Sequence, residues 1–370
     1  MIALVSFFRS QAIFCIALVL ALGSMFVVPP SRAYVDYIDF RTLALLFCQM
    51  TVISGMVRLG LADRISAWLR RRFSTVRRVG AALVFLSFFS SMLITNDVAL
   101  MSFVPLTLAI FSREKQRGRE LVTILVLQTI AANIGSMFTP LGNPQNLYLF
   151  SRSGMSALRF LTVTGKYTLL TGLLLVAALL TVKDGKLSLP PEAERPHPLD
   201  RRKALVCAAL LVLCVLSVLR LVPVPVLLAV VLAVFLRMDR KAFRGVNYML
   251  LCTFLVFFIL AGNIKNLPGF QQLIRQSIDG REVAVSVLVS QIISNVPAAM
   301  LLSAFTSRLE DLIVGVNLGG LGTIIASMAS LITWQYYTKT PRPAKGRYLG
   351  VFTGWNLGFL AVLLLAEHFL

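Results

Sequence analysis

The stretch Ile94-Thr95-Asn96-Asp97 decides the fold, because it breaks an otherwise apolar segment that runs from Val79 to Phe111. A continuous helix over this segment would be about 50 Å long, beyond the ~30 Å hydrocarbon core, yet the segment is too short for two full spans. Basic residues flank it on both sides, at 70–78 and 113–119, so both ends are expected in the cytoplasm. The stretch therefore predicts a re-entrant hairpin that turns at Thr95–Asp97. Irregular backbone at that depth is tolerated only beside protein or a wet cavity, as at a substrate or ion site.

The composition is that of a multi-pass membrane protein. The 370 residues are 57% hydrophobic and 14% charged, with a mean hydropathy of +0.81, and several apolar runs approach the ~20 residues that a spanning helix needs. The formal net charge of +20 does not indicate nucleic acid as a partner. Most Lys and Arg lie in short segments that the topology places in the cytoplasm, next to the anionic lipid of the bilayer. These segments are 62–78, 112–120, 183–203, 237–246 and 338–348.

Residue patterns exclude several other classes of protein. The five cysteines all lie in apolar runs, without a Cys-x-x-Cys or a Cys/His pairing, so neither a disulfide framework nor a zinc site is indicated. The spans contain no paired aspartates, no His-Glu-x-x-His and no Ser/His dyad, and the chain has no Walker motif. We therefore expect neither an enzyme nor an ATP-driven pump, and no cofactor.

The first half of the chain is predicted to be a series of helices. The apolar run from Ala12 to Val28 resembles a signal peptide, but only Arg9 supplies a charged segment before it, and the run is long enough to span. We interpret it as the first transmembrane helix, with the N-terminus in the cytoplasm. The following segments are a helix over 40–61, an amphipathic surface segment over 62–78, the hairpin 79–111, a broken helix over 121–150 and a helix over 161–182. The broken helix is expected to unwind at Asn133–Ser136 and at Thr139–Asn146.

The second half repeats this order of parts. It is preceded by a polar linker and by a helix over 204–219 that has no counterpart in the first half. The second hairpin is centred on Ser294-Asn295-Val296-Pro297. The predicted segments are helices over 221–236 and 247–263, an amphipathic segment over 264–282, the hairpin 283–307, a broken helix over 311–337 interrupted at 315–323, and a last helix over 349–365.

The unmatched helix inverts the second half relative to the first. Residues 1–182 then form the first repeat, 183–220 the cytoplasmic linker and unmatched helix, and 221–370 the second repeat. The first hairpin opens from the cytoplasm and the second from outside. Paired interrupted segments in two inverted halves indicate a secondary transporter with its site at the membrane midplane. We therefore expect an all-α polytopic membrane protein with an inverted structural repeat, each half carrying a re-entrant helical hairpin and a broken transmembrane helix.

Polar residues at the hairpin tips and helix breaks are the candidate ligands. Asp97 is the one acidic residue deep in an apolar segment, where insertion costs at least about 2.5 kcal/mol. It either carries a proton or Na⁺, or caps the helix that follows it. The asparagines could bind an ion or bond between helices, and the glycines could admit substrate or allow close packing. The candidate set is Thr95, Asn96, Asp97, Asn133, Gly135, Thr139, Gly142, Asn143, Asn146, Ser294, Asn295, Asn317, Gly319 and Thr323, with Na⁺ near Asn96, Asp97 and Asn295.

Three of these motifs resemble the signatures of the ion transporter superfamily. They are Thr95-Asn96-Asp97-Val98-Ala99-Leu100, the stretch 133–146 with Gly142-Asn143-Pro144-Gln145-Asn146, and Ser294-Asn295-Val296-Pro297. The superfamily includes arsenite permeases, NhaD-type sodium–proton antiporters and citrate or dicarboxylate transporters. The resemblance covers essentially the whole chain and is closest to bacterial inner-membrane permeases with a citrate-transporter-like domain.

The resemblance implies a scaffold domain, a mobile transport domain that bears both hairpins, and a homodimer in the bacterial inner membrane. The carboxylate transporters carry Ser-Asn-Thr at both tips, whereas this chain has Thr95-Asn96-Asp97 and Ser294-Asn295-Val296. The expected function is secondary active transport of a small anion or oxyanion, a carboxylate or an arsenite-like species, coupled to H⁺ or Na⁺. The alternatives are a Na⁺/H⁺ antiporter, which would favour several acids in the membrane, and a channel.

Overall fold

The computed structural model describes residues 12–111, 117–187 and 200–369, and every regular element in these ranges is a helix. The all-α class predicted from the sequence is thereby confirmed. The residues before Ala12, whose side of the membrane was predicted, and the flanking basic residues Arg113 and Lys115 lie outside the described ranges, as does most of the predicted linker, 188–199.

The helices follow the predicted order closely. Those before the linker are α1 (Ala12–Ser24), α2 (Ala33–Tyr37), α3 (Phe40–Val57), α4 (Leu61–Arg72), α5 (Val76–Ile94), α6 (Asn96–Phe111), α7 (Gly118–Met137), α8 (Pro144–Ser153) and α9 (Ala157–Leu180). Those after it are α10 (Arg201–Val218), α11 (Val224–Met238), a 3₁₀ helix (Arg240–Gly245), α12 (Tyr248–Lys265), α13 (Pro268–Ile278), α14 (Glu282–Ile293), α15 (Asn295–Leu302), α16 (Leu309–Leu318), a 3₁₀ turn (Ile324–Ala326), α17 (Met328–Thr338) and α18 (Lys345–Phe369).

Several of these helices have the dimensions of membrane spans. Six of the described helices are long and apolar enough to cross a bilayer, namely α3, α5, α7, α9, α12 and α18. Four shorter helices are also apolar, at 14–24, 96–111, 224–238 and 282–293. The first helix is shorter than the predicted run of 12–28, because the chain leaves the helix at Ser24 and continues in turns.

Both hairpins turn at a single residue with the same rare backbone conformation. Thr95 has φ 67° and ψ 146°, and Ser294 has φ 72° and ψ 156°. Residues other than glycine are rarely found there, and holding one costs of the order of 1–3 kcal/mol. In both cases the two arms pack against each other, α5 on α6 and α14 on α15. The turns fall where the polar tips predicted them.

The first arm of the first hairpin begins earlier than predicted. It starts at Val76 rather than Val79, because the side chain of Thr75 accepts a hydrogen bond from the backbone N–H of Arg78 and caps the helix. At 1.5 Å per residue, α5 is about 28 Å long and α6 about 24 Å.

Both broken helices are interrupted later than the sequence suggested. The residues Asn133–Ser136 were predicted to unwind but remain in α7, whereas the observed break, 138–143, overlaps the second predicted interruption at Thr139–Asn146. Likewise Gly315–Leu318 remain in α16, and that break covers 319–327. The glycines in these stretches serve close packing. A Cβ on Gly135 would collide with the carbonyl of Phe88 in α5, and one on Gly315 would lie 2.7 Å from the Ser286 side chain in α14.

Two hydrophobic clusters form the core, and the broken helices cross between them. The first cluster is built mainly from α5, α6, α7, α9, α17 and α18, and the second mainly from α1, α3, α8, α10, α11, α12 and α15, with α16 contributing to both. Thus α8, from the first half of the chain, packs in the second cluster, while α17, from the second half, packs in the first. Each half supplies a helix that the other half buries.

Candidate functional site

The first hairpin tip and both helix breaks are joined by buried side-chain hydrogen bonds. Asn96, at the start of α6, donates through Nδ2 to Oδ1 of Asn133 in α7 (3.2 Å). Asn133 Oδ1 also accepts from Ser327 Oγ (2.8 Å), and its Nδ2 donates to the carbonyl of Gly320 (3.3 Å), both in the break before α17. One asparagine of α7 therefore connects the tip of its own half with the helix break of the other.

A second set of amides joins the two breaks directly. Asn143 Nδ2 donates to Asn317 Oδ1 (2.9 Å), and Asn317 Nδ2 donates to Asn146 Oδ1 (2.6 Å). Asn146 Nδ2 lies within 3.2 to 3.3 Å of three carbonyls, those of Ser136, Met137 and Thr139, which end α7. Asn143 Oδ1 accepts from the backbone N–H of Asn146 and so caps α8. The freed backbone groups of the first break are thus largely satisfied by these side chains.

The first tip also contacts the break of its own half. The backbone N–H of Asn96 donates to the carbonyl of Gly142 (3.1 Å), and the hydroxyl of Thr139 donates to the carbonyl of Met92. A Cβ on Gly142 would overlap the backbone of Ser136, so only glycine fits at this position.

The second tip lies against the second break. Ser294 Oγ donates to the carbonyl of Ala326 (3.3 Å), and a Cβ on Gly320 would lie 2.8 Å from Asn295 Nδ2. Both tip residues are buried, with 1% and 4% of their surface exposed. Since Gly320 also accepts from Asn133, which bonds Asn96, the two hairpin tips are linked indirectly through Asn133 and this backbone segment.

Gln291, which the sequence analysis did not single out, organises the second break. Its Nε2 donates to the carbonyls of Gly319 and Leu321 (both 3.0 Å), and its Oε1 accepts from the backbone N–H of Thr323 (2.8 Å). The candidate Thr323 is itself exposed and apart from the buried amides. A polar residue one turn before a hairpin tip was the available sequence signal.

A cavity of about 610 Å³ reaches the first tip from one side. Thr95, Asp97 and Ser102 of the first hairpin line one wall together with Pro144. The opposite wall is formed by α3, from Met50 to Arg58, and by the 3₁₀ helix. The cavity therefore separates the hairpin from helices of the second hydrophobic cluster.

Three cationic residues line this cavity, and the sequence analysis missed their role. Arg58, Lys241 and Arg244 all contribute to the wall. Arg58 pairs with Asp239 at 2.6 Å, and this hydrogen bond holds the pKa of Asp239 below its usual range. From the sequence, the segment 237–246 indicated only topology. The hairpin tips contain no Lys or Arg, so the positive charge near the first tip comes from these three residues of the cavity wall.

A further buried glutamine links α3, which forms one wall of the cavity, to the first helix break. Gln49 in α3 is 2% exposed and donates through Nε2 to the carbonyl of Leu141 in the first break (2.5 Å). This bond joins the helices of the second cluster to the segment that holds the first tip.

Oxygen ligands rather than a cluster of acidic, His or Cys side chains are available for a cation. Within the described ranges, no group of three or more His, Cys, Asp or Glu is placed to hold a metal ion. Around the first tip, Asn96 Oδ1 accepts only from the backbone N–H of Asp97 (3.0 Å) among described groups. An amide oxygen with a remaining lone pair, beside a carboxylate, suits a monovalent hard cation.

The amino-acid sequence matches a known transporter family along most of its length. The family model described as citrate transporter matches residues 1–334. An uncharacterized transporter of Methanocaldococcus jannaschii is 31% identical over 326 residues, which cover 87% of each chain. Inner membrane protein YbiR of Escherichia coli is 29% identical over 335 residues, 88% of this chain and 87% of YbiR. The silicon efflux transporter LSI3 of Oryza sativa is 31% identical over 135 residues, 36% of this chain and 27% of that protein.

Proposed function

The chain belongs to the citrate transporter family and is a multi-pass membrane transporter, and from this we propose that it is a secondary active transporter of a small anion or oxyanion. The substrate is a carboxylate or an arsenite-like species, it crosses the inner membrane by alternating access, and its movement is coupled to H⁺ or Na⁺. The functional unit is a homodimer, as the superfamily resemblance implies.

The observation that carries this proposal is the one-sided cavity at the first tip. Asp97 and Thr95 line the cavity, whereas Ser294 and Asn295 at the second tip are almost fully buried. The basic segment that lines the cavity was assigned to the cytoplasm by the positive-inside rule. We interpret this arrangement as an inward-open state, in which the site is reached from the cytoplasm.

Charge favours an anion as the substrate. Lys241 and Arg244 line the route to the tip beside Arg58, which is paired with Asp239, and these cations outnumber the one carboxylate in the lining, that of Asp97. A predominantly positive cavity raises the local concentration of anions. At the tip, the anion would lie near the hydroxyl of Thr95 and the starts of α6 and α15, where helix dipoles favour negative charge.

Coupling is assigned to Asp97 together with the amide oxygens beside it. Asp97 follows Asn96 directly, and the cavity gives its carboxylate access to H⁺ or Na⁺ from solution. Neutralising this carboxylate with H⁺ or Na⁺ would remove the repulsion between it and an incoming anion. Loading of the ion would therefore favour loading of the substrate, as cotransport requires.

The two halves are proposed to form an inverted repeat. Corresponding helices make corresponding contacts: α5 packs on α7 as α14 packs on α16, and α6 packs on α17 as α15 packs on α8. The matching φ and ψ of Thr95 and Ser294 support the same assignment. In such a repeat, exchange of the two hairpins between equivalent conformations opens the site to alternate sides.

The alternative function is Na⁺/H⁺ antiport, in which Asp97 alone would bind both cations in turn. It is favoured by the same carboxylate but gives no role to Lys241 and Arg244, which would repel Na⁺ from the cavity.

Purified protein in proteoliposomes distinguishes the two functions. Radiolabelled citrate, succinate, arsenite, phosphate and silicic acid would be offered separately, under an imposed pH gradient, an imposed Na⁺ gradient, or none. We expect accumulation of at least one anion or oxyanion that requires one of the gradients and is abolished when an ionophore collapses it. Na⁺-dependent movement of protons in vesicles that contain no candidate anion, with no uptake of any of the five, would overturn the proposal in favour of antiport.

A further inference from the structure

Helix α18 carries a stripe of four glycines that no part of the described chain covers. Gly346, Gly350, Gly354 and Gly358 follow one another at intervals of four residues, so they lie along one face of the helix. All four are exposed, and a Cβ built on any of them would meet nothing within 4 Å. Such a bare strip allows close approach of an apolar partner but does not by itself identify one.

Gly354 of the stripe lines a groove that lies away from the proposed transport route, and the other three glycines continue the exposed face of α18 beyond it. The groove has a volume of about 640 Å³ and runs between α7, the end of α9 and α18. Val351, Gly354 and Trp355 of α18 face Arg119 and Thr123 of α7 and Lys183 after α9. None of the residues that line the cavity at the first hairpin tip belongs to it.

Positive charge dominates one end of the groove. Arg119 and Lys183 are both exposed, and no described carboxylate lies within ion-pairing distance of either. Arg347 does not line the groove but places a further cation near the start of α7, since its Nη1 would lie 3.9 Å from a Cβ on Gly118. Glu120 also lines the groove and supplies one negative charge.

The neighbouring Asp184 carries a negative charge but forms no ion pair with Arg119 or Lys183. Its carboxylate accepts from the backbone N–H groups of Arg77 (3.1 Å) and Gly185 (2.9 Å), which hold its pKa below its usual range. The cations therefore remain available to an external anion. All of them belong to segments that the sequence assigns to the cytoplasmic face.

We propose that this groove binds one anionic phospholipid of the cytoplasmic leaflet. The headgroup phosphate contacts Arg119 and Lys183, and an acyl chain lies along the glycine stripe. Basic pockets between transmembrane helices on the cytoplasmic side suit anionic headgroups, and a tryptophan such as Trp355 is typical of the level where headgroups meet acyl chains. Glycine backbone leaves room for the acyl chain next to α18.

A second copy of this chain fits the groove less well. Two copies related by a twofold axis along the membrane normal would place the same end of each stripe against its partner. Arg119, Lys183 and Arg347 of one copy would then face the same cations of the other. A lipid brings the opposite charge to this end instead.

Native mass spectrometry of the purified full-length protein tests the proposal by counting bound lipid. Dioleoyl phosphatidylglycerol and dioleoyl phosphatidylcholine would compete at equal concentration. We expect the wild type to retain one phosphatidylglycerol in preference to phosphatidylcholine. Each cation near an anionic headgroup changes the affinity about fivefold. The preference of Arg119→Gln/Lys183→Gln for phosphatidylglycerol should therefore fall by roughly 25-fold. The matched pair Arg72→Gln/Arg78→Gln removes two exposed cytoplasmic charges outside the groove and should leave it intact.

A second variant separates the acyl chain from the headgroup. Gly354→Leu fills the groove where there is open space, so the fold should persist while retention of both lipids falls. Unchanged lipid counts in Arg119→Gln/Lys183→Gln would overturn the proposal. Retention of phosphatidylglycerol by Gly354→Leu, with conversion of a dimer to a monomer, would assign the stripe to a second copy instead. If inorganic phosphate displaces the lipid at equal concentration, the groove binds only an anionic group and the proposed acyl-chain contact is wrong.

Discussion

The amides of the site are already bonded to one another, whereas the carboxylate beside them is not. Asn96, Asn133, Asn143, Asn146 and Asn317 all exchange hydrogen bonds within the buried network. Among the described residues, no side chain bonds the carboxylate of Asp97, which is half-buried at the cavity wall. The asparagines therefore hold the tips and breaks in place, while the carboxylate of Asp97 remains accessible from the cavity.

Asp97→Asn should separate coupling from binding. The two side chains are nearly isosteric and Asn also stabilises a helix N-terminus, so the protein should fold and insert. Gradient-driven accumulation should fall to the level reached without a gradient, while exchange of labelled for unlabelled substrate persists. Both would be measured in the same vesicles.

The matched control is Asp36→Asn, which alters an exposed acid in α2, away from the cavity. It should accumulate substrate like the wild type. If Asp97→Asn also accumulates substrate normally, Asp97 serves only to cap α6 and the coupling group lies elsewhere.

Lys241→Gln/Arg244→Gln should weaken capture of the anion from the cytoplasmic side. Removing two cations from the cavity wall lowers the local concentration of substrate, so the apparent KM should rise, by up to roughly 25-fold at low ionic strength, with less effect on the maximal rate. The rise should shrink as salt is added, because charges at this distance are screened.

Arg72→Gln/Arg78→Gln serves again as the control, since these charges lie outside the cavity. A KM that rises equally in both double variants would trace the effect to surface charge in general. A KM that does not depend on salt would exclude electrostatic capture.

At the scale of helices, the positions of the helices and turns were easier to predict from the sequence than the structural role of the glycines within them. The hairpin turns were predictable because a polar tip inside an apolar run of this length fits few structures besides a buried turn. Asn133–Ser136 and Gly315–Leu318 were misjudged because glycine is used both to unwind a helix and to let two helices approach, and only the position of Phe88 or Ser286 decides between them. The cations of the cavity were missed because only the tertiary structure brings 240–245 and the first tip, which are far apart in sequence, to the same cavity.

Gly135→Ala tests the packing role of this glycine. The added methyl group would meet the backbone carbonyl of Phe88 and lie 2.7 Å from Ser91 Oγ, and backbone cannot swing aside. Overpacking of this kind costs about 1–3 kcal/mol, which should appear as a lower melting temperature in detergent or nanodiscs.

Gly172→Ala is the corresponding control in α9. Its Cβ would make an ordinary contact of 3.8 Å with the ring of the same Phe88. It should match or exceed the wild type in stability, since Ala favours a helix more than Gly. Equal stability of both variants would mean that α5 and α7 move apart at little cost.

At the scale of the whole molecule, orientation in the membrane is the prediction on which the inverted repeat depends. In a protein without its native cysteines, single cysteines at Ser74 and Gln116 should react with an impermeant thiol reagent only from the cytoplasm. Those at Gln272 and Ser307 should react only from outside. Ser74, Gln272 and Ser307 are exposed, and Gln116 lies outside the described residues. Reaction of Ser74 and Gln116 from opposite sides would show that α5 crosses the membrane and would remove the re-entrant assignment.

The packing of α8 and α17 in the opposite halves of the chain also affects the order in which parts of the protein can fold. When the ribosome has produced the first 182 residues, α8 has been synthesised but the helices that bury it, α15 and α16, have not. In the nascent first half, Tyr148 lacks the partners that it contacts in the complete structure, namely Phe254, Phe258 and Ser303. Maturation would then be a late, concerted step after α17 is released from the translocon, and a chain truncated at Val182 should remain open to protease and to membrane quality control.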